Sequence, residues 1–208
     1  ETFSHKIKIF DKQGKIIREV GGYGNTNGKF FYPFGVAVDN FGNFYVSDTY
    51  NHRIQKFNNK GMFLLEWGGV GIGDSQFRYN YSIAVDSEGN IYVSDWQNSR
   101  IQKFDLDGNF LGKWGSFGTR NGQFYGVLGL SVANGKIYAP DYYGKRVQVF
   151  DKYGRYDKSI GESTAGLDEA KLVIKKIVSD SELIAGANYG LMQWNSFAKM
   201  EVPISANG

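Results

Sequence analysis

The sequence predicts an all-β fold, a β-propeller of four-stranded antiparallel blades, and three observations predict it. The segment Asn43 to Phe57, NFYVSDTYNHRIQKF, returns about 47 residues later as Asn90 to Phe104, NIYVSDWQNSRIQKF, with eleven of fifteen positions identical. Self-similarity at a period of roughly 20 to 50 residues marks solenoids and propellers. Each repeat also holds four short apolar runs bounded by Gly, Asn or Asp, the pattern of a four-stranded meander. The composition agrees, because 14 Tyr, 16 Phe and 28 Gly against 3 Pro suit many short strands joined by glycine turns.

Within one repeat, GVAVD (35–39) reads as the first strand, NFYVSD (43–48) as the second, RIQKF (53–57) as the third and FLLEWG (63–68) as the fourth. One aromatic position carries the register through Phe10, Phe57, Phe104, Phe150 and Trp194, at separations of 47, 47, 46 and 44. A second marker agrees: Val20, Trp67, Trp114 and Ile160 each stand directly before a glycine. Five repeats follow, in segments of approximately 1–29, 30–76, 77–123, 124–168 and 169–208 of a single domain. Bulky residues at odd separation on one strand, such as Ile54 and Phe57, imply a blade packed between two others.

ETFSHKIKIF, from Glu1, aligns with DTYNHRIQKF, from Asp48, so the first repeat is expected to begin between the second and third strands of its blade. The last repeat, KKIVSDSELIAGANYGLMQW, departs strongly from the pattern yet is expected to run through four strands to AKMEVPIS. That makes about four and a half repeats. A propeller removes its sheet edges by closing, so further sequence upstream of Glu1 is expected.

These pieces resemble the NHL-repeat family over nearly the whole chain. Asn51 and His52 stand at the name-giving motif, with Arg53 where the family has Leu. The wider pattern is also present: a glycine-rich loop, a Phe, a GVAVD strand, a GNFYVSD strand and RIQKF. The resemblance implies a propeller, usually of six blades, whose loops serve interaction.

Charge and composition exclude several functions. The 24 basic and 21 acidic side chains leave a net charge of +3 with no basic block, so nothing demands nucleic acid or an anionic membrane. With no cysteine, the chain has no disulfide, thiolate metal site, iron–sulfur ligation or cysteine nucleophile. No apolar run approaches the roughly 20 residues of a membrane span.

The chemical motifs divide into copies of structural parts. An acidic residue precedes a basic one by five positions in Glu1 and Lys6, Asp48 and Arg53, Asp95 and Arg100, and Asp141 and Arg146. In the fifth repeat both are gone, as Ala185 and Gly190, and joint loss is what a partly buried ion pair predicts. Asp105, Asp107 and Asn109 resemble the opening of a calcium loop, but no Glu follows at the twelfth position and the sister hairpins lack the pattern. The loops GGYGNTNGKF, GGVGIGDSQF and GSFGTRNGQF join strand to strand without a G-K-[ST], so they read as crossovers between blades, not phosphate loops.

Two histidines, His5 and His52, cannot supply a three-histidine zinc site. The first-strand positions Val36, Ala37, Ile83, Ala84, Leu130 and Ser131 offer little of the carboxylate and amide cluster a lactonase needs. No catalytic residue, metal ligand or cofactor is therefore assigned.

What remains is a surface. In a meander, the loops between second and third strands leave the blade on the same side as the crossovers, because successive strands reverse direction. That side is expected to gather Tyr23, Tyr50, His52, Trp96, Tyr142 and Tyr143, with Arg78, Tyr79, Tyr81, Arg120 and Lys145 around them. Trp, Tyr and Arg are the residue types that anchor interfaces. The expectation is a non-enzymatic scaffold for a protein or glycan partner, with the Asp–Arg pairs structural. Two alternatives stand beside it: a single-stranded RNA-binding domain, and a metal-dependent lyase or lactonase. Zero cysteine, loops rich in Asn, Gly and Tyr, and a start at Glu1 suggest a prokaryotic protein, extracellular or in the cell envelope.

Overall fold

The computed structural model describes residues 2–161. The fifth repeat and the residue Glu1 lie outside them, together with the expectations placed there. Within the described residues, β1 (Lys6–Phe10) and β2 (Ile16–Gly21) form a two-stranded antiparallel sheet. The next sheet runs β3 (Pro33–Val38), β4 (Phe44–Asp48), β5 (Arg53–Phe57), β6 (Phe63–Gly68). The third runs β7 (Asn80–Val85), β8 (Ile91–Asp95), β9 (Arg100–Phe104), β10 (Phe110–Trp114). The fourth runs β11 (Ser131–Ala133), β12 (Lys136–Asp141), β13 (Arg146–Asp151), β14 (Tyr156–Ile160). Each strand pairs with its neighbour in sequence, so every sheet is a meander, a blade of a β-propeller.

The register repeats with the sequence. Asp48 faces Arg53 across β4 and β5, Asp95 faces Arg100 across β8 and β9, and Asp141 faces Arg146 across β12 and β13. The first strands differ from the sequence expectation. β3 starts at Pro33, ahead of GVAVD, because Pro33 pairs with Asp48 beyond an irregularity in the ladder. β11 is shortened to Ser131–Ala133, where Asn134 (φ 51°) and Gly135 (φ 69°) turn the chain at once. Asn-Gly suits such a tight hairpin because both of its central residues need positive φ.

Packing between blades explains why the strands lack a clean polar face. Side chains alternate across a strand. In β4, Phe44 and Val46 join Phe30 and Phe57 against the first sheet, whereas Tyr45 packs with Ile54, Phe77, Ile83 and Phe104 towards the third. Tyr92, Ile101, Phe124, Ile137 and Phe150 repeat the arrangement one blade further. The outer strand β6 alternates between half-buried Phe63, Leu65 and Trp67 and exposed Leu64, Glu66 and Gly68.

The tryptophans before the glycines set the spacing of the blades. Trp67 lies against Gly108 in the hairpin of the next blade, where an added Cβ would come within 2.8 Å of the indole. Trp114 covers Gly154 in the same way, at 2.6 Å. Both glycines have φ of 80°, so shape and backbone each demand the missing side chain. The hairpins themselves close on one acceptor. The Asp105 carboxylate takes the backbone N–H groups of Asp107 and Asn109, each at 2.9 Å, and the Asn109 amide at 2.8 Å. Asp11, Asn58 and Asp151 make the corresponding backbone pairs. These are side-chain-capped turns, and the calcium-like run Asp105, Asp107, Asn109 is one of them.

Phe104 is fully buried and its ring meets Trp67, Phe77 and Phe110 at 5.7, 5.9 and 6.0 Å between centroids. Phe104→Ala is expected to cost about 3–5 kcal/mol through lost burial and the cavity left behind, measured as the shift of a urea unfolding transition.

Candidate binding face

The strand order carries the loops between second and third strands, and the crossovers into each blade, to one end of the molecule. A buried polar network holds the two sets together. The Asp48 carboxylate accepts the Phe31 backbone N–H (2.7 Å) and side-chain donors from Asn51 (2.9 Å), Arg53 (2.8 Å) and Gln55 (3.0 Å). Arg53 then donates to the carbonyls of Thr26 (3.0 Å) and Lys29 (3.1 Å), and Gln55 donates to Lys29 (2.7 Å) while accepting from Gly28 (2.8 Å). Asn51 reaches the Gly24 carbonyl at 2.9 Å. The residues of D-x-x-N-x-R-x-Q thus pin the glycine-rich crossover from below.

The next copy repeats this in detail. Asp95 accepts from Arg78 N–H (2.7 Å), Asn98 (2.8 Å) and Arg100 (2.7 Å), and Arg100 donates to the carbonyls of Ile72, Gly73 and Gln76. Burial raises the Asp95 carboxyl, against which these donors pull it down. In the fourth blade Gly144 replaces the asparagine, and Asp141 takes a second backbone donor, Gly126 N–H at 3.0 Å, beside Tyr125 N–H at 2.8 Å. Arg146 lies 3.3 Å from Asp141 and donates to the carbonyls of Arg120 and Gln123. Lys6, the counterpart of these arginines in the first sheet, pairs with Glu19 at 2.7 Å.

Above the anchors lies an aromatic belt. Tyr50 touches Phe31 (5.4 Å), Tyr32 (5.1 Å) and Tyr79 (5.2 Å). Tyr79 continues to Trp96 (6.3 Å), Trp96 to Tyr81 (5.5 Å) and Tyr81 to Phe34 (4.8 Å). At the other side Phe117 meets Tyr125 (5.3 Å), Tyr125 meets Tyr143 (5.4 Å) and Tyr143 meets Tyr142 (5.0 Å). Tyr23 packs edge-on to His5 at 5.2 Å and stays 70% exposed. Burial first, then the neighbouring phenols, pushes the Tyr81 hydroxyl up to about 12.

The sequence-derived residues occupy this end in different ways. Tyr50, Tyr142, Tyr143, Arg78, Arg120 and Lys145 are exposed, whereas Trp96, Tyr79 and His52 are half-buried. His52 caps the 3-10 turn Thr49–Asn51 in the left-handed region (φ 56°), and its Nδ1 accepts the Tyr79 N–H at 3.2 Å. It serves the loop backbone at that atom. Phe31, Tyr32, Phe34, Phe117 and Tyr125 belong to the belt and escaped the sequence reading. Their signal was the crossover register, in which Tyr23, Val70 and Phe117, and likewise Phe31, Arg78 and Tyr125, stand 47 residues apart.

At one junction the belt opens into a dent of about 250 Å³ lined by Trp96, Gln97, Ser99, Phe117, Tyr125 and Tyr143. Among the described residues no group of three or more His, Cys, Asp or Glu is placed to hold a metal ion. Nor is any described helix long and apolar enough to cross a membrane.

Antiparallel blades joined by pinned crossovers define the class, a β-propeller. More particularly, two of its blades carry NHL repeats: the NHL repeat profile matches residues 30–57 and 82–104, in the second and third sheets. No curated protein sequence matches it significantly. Among solved structures it is similar to a streptogramin B lyase, at 17% identity over 75% of this chain and 48% of that one, with a TM-score of 0.58. A catalytically inactive virginiamycin B lyase from Staphylococcus aureus with quinupristin gives 17% identity, 77% and 50% coverage and a TM-score of 0.58. Hydrazine synthase of Kuenenia stuttgartiensis gives 15% identity, 74% and 42% coverage and a TM-score of 0.55. At these identities the likeness is one of fold, and the chain spans about half the length of each.

His52 yields a pH prediction. Burial lowers its pKa from the ordinary 6.5, with Asp95 and Asp48 acting in the opposite sense. The unfolded chain therefore takes up a proton at a higher pH than the folded one, so stability is full above the unfolded value and falls as pH drops through the folded one. Melting temperature is expected to decline between about pH 7 and 5, and His52→Asn, which tolerates the left-handed backbone, should flatten that decline in a thermal unfolding series.

Proposed function

We propose that this chain is a non-enzymatic binding module whose loop face takes a protein or glycan partner. The observation that carries the reading is the aromatic belt, running over Tyr50, Tyr79 and Trp96 with Tyr143 and Phe117 beyond, and fringed by Arg78, Arg120 and Lys145. Exposed Tyr, Trp and Arg are the residues that dominate interface energies. The anchors below hold the crossovers rigidly, which lowers the ordering cost of binding. Lyase activity is a property of the lyases named above, and a shared fold does not carry a reaction across. As part of the same reading we place the protein outside the cell or in its envelope, with support from its cysteine-free composition and loops rich in Asn, Gly and Tyr. Recovery of the native protein only from the cytoplasm would overturn that placement.

The test probes immobilised protein and glycan panels with three forms of the chain. Replacing Tyr50, Trp96 and Tyr143 together by Ser is expected to weaken the strongest signal at least about tenfold. The control replaces Phe41, Met62 and Tyr153, exposed in the hairpins at the opposite end, and is expected to leave it unchanged. The reverse pattern, with melting temperatures preserved, refutes the proposed face.

A further inference from the structure

The three junctions that the crossovers make with the preceding loop are built from equivalent positions, and they are filled differently. At the first, His5 meets Tyr32 at 4.6 Å and accepts its backbone N–H at 3.0 Å. At the second, His52 meets Tyr79 at 4.8 Å and accepts its backbone N–H at 3.2 Å. At the third, Ser99 stands in place of the histidine and Gly126 in place of the tyrosine. The backbone is kept at the histidine position, where His5, His52 and Ser99 all sit in the left-handed region with φ of 56°, 56° and 52°, but not at the tyrosine position, where Tyr32 (φ 49°) and Tyr79 (φ 58°) are left-handed and Gly126 is not. Both rings of the sister junctions are absent from the third.

Tyr143 occupies part of the vacated space, its ring edge 2.7 Å from where a Gly126 Cβ would be, with the Trp96 indole nitrogen at 3.6 Å. The remainder is the dent of about 250 Å³. Four aromatic rings wall it, those of Trp96, Phe117, Tyr125 and Tyr143, and Gln97 and Ser99 supply an amide and a hydroxyl. No charged side chain lines it.

We infer that this third junction is a binding subsite for one neutral pyranose ring of a β-linked glucan-type chain, an assignment that rests on the loop-face reading above. The volume lies below the roughly 300–1,000 Å³ of sites for drug-sized ligands, which fits a single sugar ring. A β-linked glucose unit carries its hydroxyls equatorially, so its two faces expose C–H groups that lie flat on aromatic rings. Its rim hydroxyls exchange hydrogen bonds with groups such as the Gln97 amide and the Ser99 hydroxyl. An uncharged lining favours a neutral sugar over an anion, whose desolvation nothing here would offset. The open mouth lets the rest of the chain run out over the belt.

Cellotriose is the probe, and the indole N–H resonances of the chain's 4 Trp report on it. The Trp96 signal is expected to shift on titration with a dissociation constant on the order of 1 mM, while those of Trp67 and Trp114, packed between blades, stay in place. Ser99→His restores the side chain of the sister junctions on a backbone that already accepts it, and is expected to weaken binding at least about tenfold without lowering the melting temperature. No shift of Trp96, or a shift that survives Ser99→His, overturns the subsite. If cellotriose fails while the Tyr50, Trp96 and Tyr143 substitutions still abolish the panel signal, the sugar assignment alone is wrong. If cellotriose binds as described but the panel signal is indifferent to those substitutions, the broader reading is what fails.

Discussion

The buried carboxylate–guanidinium pair at the junction of second and third strands is the constraint on which the rest of the structure depends. A buried ion pair by itself is a weak source of stability, because the cost of desolvating two charges offsets their attraction. Here the remaining lone pairs and protons are used. Asp48 and Asp95 each take a backbone N–H from the crossover as well as side-chain donors, and Arg53 and Arg100 turn their outer nitrogens to crossover carbonyls. The pair is thereby spent on position. A glycine-rich segment with little core of its own is held in one geometry over each blade.

That arrangement separates what must stay constant from what is free to change. The sequence between the anchors alters from Thr49-Tyr50-Asn51-His52 to Trp96-Gln97-Asn98-Ser99 and to Tyr142-Tyr143-Gly144-Lys145, while the left-handed residue at the end persists at φ of 56°, 52° and 52°. Each copy presents different side chains from the same backbone. The fourth blade shows the tolerance of the frame: Gly144 offers no amide to Asp141 Oδ2, and the carboxylate instead accepts a second backbone N–H, from Gly126, at Oδ1 beside that of Tyr125. Variation is thus concentrated on the loop face, where it changes chemistry without disturbing the blades beneath.

The blades are spaced by shape. Trp67 and Trp114 reach across to glycines of the following hairpin, and Phe104 and Phe150 lie under the same indoles at 5.7 and 6.1 Å. Alternation along a strand then sends Phe44 and Val46 to one neighbour and Tyr45 to the other. A repeat of this kind buries its apolar side chains by stacking on copies of itself, which ties the rigidity of the loop face to the regularity of the core.

By itself the sequence determined the blade: the repeat period, four strands each, the pairing of Asp48 with Arg53 and its copies in register, and the end of the molecule at which the variable loops emerge. These are properties of one repeat and of strand reversal, so local pattern is enough to read them. Only the tertiary structure decided how that end is used. His52 looked like an exposed motif residue, but its ring nitrogen is committed to the backbone of Tyr79, a residue 27 positions on. Phe31, Phe117 and Tyr125, absent from the face expected from the sequence, lie in the belt. The dent is lined by Trp96 and Ser99 from one loop, Phe117 and Tyr125 from the crossover and Tyr143 from the next loop, residues far apart in the chain. Their effect exists only where a loop of one blade meets the crossover into the next, because a cavity is a relation between elements that no single stretch of sequence contains.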